Sequence, residues 1–244
     1  VVERRLARHM NYTAVEKHPD FPSAFRAYLE QWGADRGADL SWQRPDEATL
    51  LTDYSRCRIK MVHGDLYDII RDPGQRGKWD GIIAHAVMDL VHIEETLDGF
   101  RQLVHPGGCL YLSLNYDGHS GFNPPVDPIF EKRMINLYHA SMDHRVVNGR
   151  TSGSSRAGRD ILRQLEKMML PVTAAGRSDW TVWPCCGSYP ADHAFFLEFI
   201  IRTIHQELDH HPDLDPQRLV QWTETRRAQI RSGKLSFVAR NMDF

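Results

Sequence analysis

Val2, Leu6 and Met10 stand four apart among charged residues, which predicts the end of an amphipathic helix stopping near Asn11. Residues 12–15 are β-branched and aromatic and read as a strand ending at Glu16. Pro22, Phe25, Tyr28 and Leu29 belong to a following helix that starts near Asp20 or Phe21. Residues 33–56 are polar and irregular, which predicts a loop with a helical turn near 48–51. The next strand is 58–63, closed by Gly64 and Asp65. Residues 79–86 have a continuous apolar centre, as in a parallel strand covered on both faces. A helix over 94–104 is closed by His105-Pro106-Gly107-Gly108, since Pro and Gly are the usual stop after a helix. Residues 109–115 form the clearest strand in the chain.

Beyond residue 118 the texture changes. Residues 119–158 are rich in Gly, Ser, Asn and Pro around one helix at 128–142. A second helix, 161–170, stops at Pro171, and 179–183 predicts a strand. Pro190 at a first-turn position opens a helix with Leu197, Ile200, Ile201, Ile204 and Leu208 on one face. Asp215-Pro216 opens another helix, and 235–239 is the last strand. Strands alternating with helix-sized segments predict right-handed βαβ units and an α/β fold with a mostly parallel sheet.

The chain has 244 residues, 41% hydrophobic and 25% charged, with a formal net charge of -2. Such totals carry no electrostatic footprint for nucleic acid or an anionic membrane. The four cysteines have no zinc-ligand spacing, Cys185 and Cys186 being adjacent, and reduced thiols in a cytoplasmic protein are expected. No apolar run reaches the roughly 18 residues that would cross a bilayer.

In open α/β sheets, ligands sit beyond the carboxyl ends of the strands. The residues there are Glu16, Gly64-Asp65-Leu66, His85-Ala86 and Asn115-Tyr116-Asp117. A carboxylate such as Glu16, with Lys17 beside it, can accept both hydroxyls of a ribose. Asp65 is placed to accept from an adenine amine, and Leu66 to lie against the ring. Each has a plainer reading: Glu16 as a solvated strand-end acid, Asp65 as a helix N-cap. His85 lines a pocket or acts as general base toward a hydroxyl or amine near pH 7. Asn115, Tyr116 and Asp117 are candidates for substrate contact.

Four of these pieces, in order, resemble the motifs of class I S-adenosylmethionine-dependent methyltransferases. Thr13-Ala14-Val15-Glu16 resembles their acidic second motif and Gly64-Asp65-Leu66 their adenine contact. Residues 79–86 resemble their fourth-strand motif, and His105-Pro106-Gly107-Gly108 the stretch leading into strand five. The resemblance implies a Rossmann-like sheet flanked by helices, with helical insertions forming a cap. It assigns residues 1–118 to a cofactor-binding core, and 119–244 to the rest of the same domain, with lid and substrate segments and the last two strands. It further implies S-adenosyl-L-methionine as cofactor, S-adenosyl-L-homocysteine as product, and a small-molecule acceptor. The cofactor would meet Glu16, Lys17, Asp65, Leu66, His85 and Ala86; neither nucleic acid nor membrane is expected as a partner, and self-association is open. The family's first strand and glycine loop fall about 20 residues before the acid. They are therefore expected upstream of Val1. Two other readings are an inactive module that binds S-adenosyl ligands and an NAD(P)-dependent oxidoreductase, although no Tyr-x-x-x-Lys pair of the short-chain type is present.

The remaining features read more plainly. Residues 153–160 have two glycines but lack the Lys and Ser/Thr of a phosphate loop, and suit a hinged lid whose Arg156 meets an acidic substrate. His205, His210 and His211 do not share a helix face, so no metal site is expected. Arg226, Arg227 and Arg231 read as the exposed face of the last helix. Trp180, Trp183, Tyr189 and Trp222 read as core or pocket wall.

Overall fold

Ala14 is the buried residue of His9–Glu16 (β1), and the strand lies parallel to Arg56–His63 (β4), with Glu16 opposite His63. The structure, a computed structural model, describes residues 7–147 and 149–244. They divide into two compact units, one ending at Gln75 and one beginning at Arg76. Val2 and Leu6 lie outside the described residues; Met10 belongs to β1 and to no helix.

In the first unit, helix Phe21–Arg36 (α1) ends at Gly37, whose φ of 61° is left-handed and costs glycine nothing. Residues 33–56 are not the loop that their polarity suggests. Asp39–Arg44 (β2) and Glu47–Leu51 (β3) form a hairpin, and the sheet order is β1-β4-β3-β2. The 48–51 turn is wrong for a physical reason: β3 lies between β2 and β4, so Ala48, Thr49 and Leu50 are buried in a strand that carries few β-branched residues. Leu29, Leu50, Cys57 and Ile59 are the core, and Arg26 lies 4.6 Å above the Trp42 ring. Helix Leu66–Arg71 (α2) follows β4.

The second unit opens with Trp79–His85 (β5), helix Ile93–Leu103 (α3) and Val104–Ser113 (β6), β5 and β6 pairing in parallel. His105-Pro106-Gly107-Gly108 does not close the helix. Val104 N already bonds Phe100 O with extended backbone, and residues 105–108 bulge from β6 opposite Asp80. Nor is β5 covered on both faces, since Ile83 is 44% exposed and its β6 partner Tyr111 49%.

Residues 115–123, which read in part as loop, form one strand, Asn115–Asn123 (β7). Helix Pro128–Asp143 (α4) is followed by the short pair Val146–Val147 (β8) and Arg150–Thr151 (β9), then helix Ala157–Lys167 (α5). Gly176–Arg177 (β10) and Trp180–Val182 (β11) precede helices His193–Leu208 (α6) and Pro216–Arg231 (α7) and the last strand, Ser236–Asp243 (β12). Strand β12 pairs antiparallel with β7, β10 and β11, and that pairing makes a strand of the glycine-containing 115–123 run. The fold is α/β, with parallel pairing among the described residues confined to β1·β4 and β5·β6. Pro190 does not open α6; its carbonyl accepts from His193 N at 3.2 Å in a turn ahead of the helix.

Leu197, Ile201, Ile204 and Leu208 on α6 pack with Leu219, Trp222 and Ile230 on α7 and with Phe237. Arg226 is not on an exposed face: its side chain is 0% exposed and ion-paired to Glu131 on α4. The guanidinium also donates to Pro124 O at 2.6 Å and Gln229 Oε1 at 2.7 Å and lies 5.1 Å above the Phe122 ring and 5.7 Å above the Trp222 ring. Those partners and the two aromatic faces let a cation replace its hydration inside the core. Trp222 is buried as read, whereas Trp183 is 61% exposed and walls no core. No helix among the described residues is long and apolar enough to cross a membrane.

Candidate functional site

In the first unit, two acids end adjacent parallel strands. Glu16 Oε1 accepts from its own neighbours, Lys17 N at 2.7 Å and His18 N at 3.0 Å. That local turn leaves Oε2 open on an exposed side chain. Asp65 caps α2, its Oδ1 accepting from Tyr67 N at 2.9 Å, while Oδ2 takes Lys17 Nζ at 3.0 Å. The Tyr67 N–H, then the Lys17 ammonium, hold the Asp65 carboxyl below the usual carboxylate range. The N-cap reading of Asp65 is therefore realised, and Leu66 is the first residue of α2. His63 Nε2 meets Lys17 O at 3.0 Å and ties the two strand ends together. Glu16, Lys17 and Asp65 are thus one cluster.

In the second unit, His85 closes β5 with its Nδ1 2.7 Å from Ser113 Oγ at the end of β6. Ala86 and Leu114, the residues next after these paired ends, both have left-handed backbone, with φ of 52° and 54°. Side chains rarely adopt that conformation, which costs roughly 1 kcal/mol or more each and clusters at functional sites. Ala86 N is held by Ser113 O at 2.9 Å, and Leu114 N by Asp243 Oδ1 at 2.7 Å.

Asn115, Tyr116 and Asp117 follow as the buried start of β7. Asn115 Nδ2 donates to Leu112 O at 3.0 Å and Met242 O at 2.7 Å, so its amide is used to join β6 to β12. The Tyr116 hydroxyl lies 2.7 Å from His139 Nε2 and 2.9 Å from Ser120 Oγ. Burial pushes this phenol well above its ordinary range, and the same burial lowers the His139 imidazole, with Asp143 opposing. Asp117 accepts from Arg159 Nε at 2.9 Å. Gly118, at φ 75°, lets Arg159 lie against the backbone: a Cβ there would come 3.1 Å from Arg159 Nη2.

Sequence reasoning missed His139 and Asp89. Asp89 follows the His85-Ala86 pair, and its Oδ1 is buried without a partner among the described residues. Burial raises its carboxyl above the usual range, and its charge acts on Tyr116 and Tyr138. No spacing rule marks either residue; both matter through neighbours distant in sequence. The 153–160 segment is well tethered. Asp143 accepts from Ser155 N at 2.6 Å and from Ser155 Oγ at 3.1 Å, and Ser154 Oγ donates to Asp160 at 2.6 Å. Arg156 stays exposed at the start of α5. His205 Nδ1 lies 2.9 Å from Thr223 Oγ1, and among the described residues no group of three His, Cys, Asp or Glu could hold a metal ion.

No family model and no curated protein matches the sequence. Among solved structures, an S-adenosylmethionine-dependent methyltransferase from Thiobacillus denitrificans, in complex with S-adenosyl-L-homocysteine, is 10% identical. It aligns over 98% of this chain and 84% of its own, with a TM-score of 0.39. Geranyl diphosphate C-methyltransferase from Streptomyces coelicolor A3(2) is 9% identical over 97% of this chain and 69% of its own, with a TM-score of 0.35. These identities and scores tie no residue of this chain to a role.

Proposed function

We propose that the chain is an S-adenosyl-L-methionine-dependent methyltransferase acting on a small molecule. The observation that carries it is the acid pair: Glu16 and Asp65 follow adjacent parallel strands, one with an open carboxylate oxygen, the other capping the helix beyond. A carboxylate with one oxygen fixed by backbone N–H groups and the other free is pre-aimed at a hydroxyl donor, as ribose binding needs. Asp65 remains 30% exposed in its side chain, so it can accept from an amine besides Tyr67 N and Lys17. The residues thus fit the nucleoside end of the cofactor, with Leu66 against the base and Lys17 beside the acids. The order of the four motif-like pieces along the sequence supports the same reading.

When bound, the cofactor supplies a methyl group on a positively charged sulfur. The chain's own contribution is to bind and align, and for many acceptors alignment is most of what methyl transfer requires. In the second unit Arg156 is the candidate contact for the acceptor, since Asn115 and Asp117 are taken up by Leu112 O and Met242 O and by Arg159. His85, whose Nδ1 is engaged by Ser113, is left with Nε2 to take a proton.

Titrating S-adenosyl-L-homocysteine into the full chain by calorimetry tests the proposal. Binding is expected, and Glu16→Ala should weaken it by about 1.5–3 kcal/mol, roughly ten- to a hundred-fold in Kd. Absent binding, or an unchanged Kd in Glu16→Ala, overturns it. Glu16-dependent binding of NADH instead would make the chain an oxidoreductase.

A further inference from the structure

The second unit contains an open cleft of about 440 Å³ lined by Asn136, His139, Asp143, His144, Arg156 and Arg159. Asp143 and Arg156 also line a hollow of about 320 Å³ beside Ser154 and Asp160. The larger volume lies in the range of small-molecule sites. Its hydrogen-bonding groups divide by charge. The carboxylates are already engaged: Asp143 by Ser155, and Asp160 by Ser154 and by Arg163 at 2.9 Å. Asp117, behind Arg159, takes that guanidinium. The donors are not used up. Neither the Arg156 guanidinium nor the Asn136 amide has a hydrogen-bonding partner among the described residues. His139 and His144 each have one ring nitrogen committed, to Tyr116 and to Ala140 O. What the cleft offers a ligand is therefore donors and positive charge, and α5 begins at its wall, where a helix presents its positive end.

We propose that this cleft binds a small molecule through an anionic group, a carboxylate or a phosphate, held by Arg156 with the Asn136 amide and the His139 ring. That the bound molecule is the methyl acceptor rests on the function proposed above. Arg156 is exposed and its planar fork suits two oxygens of one anion. Arg159, held by Asp117 and laid on Gly118, fixes the wall and adds charge without being the primary ligand. His139 lies between the anion and the buried Tyr116 hydroxyl, so an anion reaching its free Nδ1 is linked to the Tyr116–Ser120 hydrogen bonds.

The test is a titration of the full chain with inorganic phosphate and, separately, with acetate, read on the histidine ring signals by NMR. His139→Gln and His144→Gln assign the two cleft resonances. Saturable shifts of both are expected with at least one anion, and the tighter of the two names the group. Arg156→Ala should weaken binding about tenfold or more, while Arg227→Ala, a half-buried arginine of α7 paired to Glu198 and Glu224, should leave it unchanged. No saturable shift, or equal weakening in the two arginine variants, overturns the proposal. S-adenosyl-L-homocysteine binding is measured on the same samples. Anion binding without it leaves the cleft standing and removes the methyltransferase reading; the reverse removes the cleft alone.

Discussion

At the ends of β1 and β4, Glu16, Lys17 and Asp65 face solvent and are held largely by N–H groups one or two residues away. Around Tyr116 and Arg226 the polar groups are buried, and their partners come from 23 and 95 residues away. The first arrangement needs little more than a strand end and a helix start. The second exists only once α4, β7 and α7 are packed. Local polar clusters are therefore cheap to build and cheap to lose, while buried ones carry stability because an orphaned charge or hydroxyl inside costs far more than one in water.

Three single substitutions and one double variant put that contrast to the test. The largest effect is expected for Arg226→Ala, which leaves Glu131 and the Pro124 carbonyl without their cation and should cost about 3–5 kcal/mol in denaturant unfolding. A loss under about 1 kcal/mol would break the comparison. The double variant Arg226→Met/Glu131→Leu should recover part of it. Recovery is incomplete because Trp222 Nε1, 2.9 Å from Glu131 Oε1, then has no acceptor.

Tyr116→Phe removes one buried hydroxyl with two partners and should cost about 0.5–1.5 kcal/mol by urea unfolding. Lys17→Ala comes last, at less than about 1 kcal/mol, because Lys17 is 71% exposed. Its sharper readout is acid titration. The Asp65 carboxyl is held low in the fold, so its contribution to stability is full above the ordinary carboxylate range and disappears as pH falls through the lowered value. Since the Tyr67 N–H is the larger cause, Lys17→Ala should leave the carboxyl still low, with a smaller displacement. Carbon-13 NMR of the Asp65 carboxyl checks this, and a full return to the ordinary range would assign the effect to Lys17 alone.

Legibility in the sequence follows the same division. Strands β1, β4, β5 and β6 and helices α1, α3, α4 and α7 show in the order of apolar residues, with Asp215-Pro216 marking the start of α7 correctly. The strand-end acids follow from those strands. Helix α6 shows in its face of Leu197, Ile201, Ile204 and Leu208, while Pro190 does not mark its start, because Pro suits a turn as well as a first helical residue. The β2–β3 hairpin and the far end of β7 were not legible, since neither is rich in strand-favouring residues and each is a strand by virtue of its neighbours.

By itself, the sequence determined the α/β class, the positions of most elements and the acids at the ends of β1 and β4, because periodicity and strand-end position are local properties. Only the tertiary structure decided that Arg226 is buried, that Asp89 Oδ1 is buried without a partner among the described residues, and that His139 meets Tyr116. Burial and partnership are set by residues far along the chain, and a charged or polar side chain carries no local mark of whether it will be wrapped by aromatics or left in water.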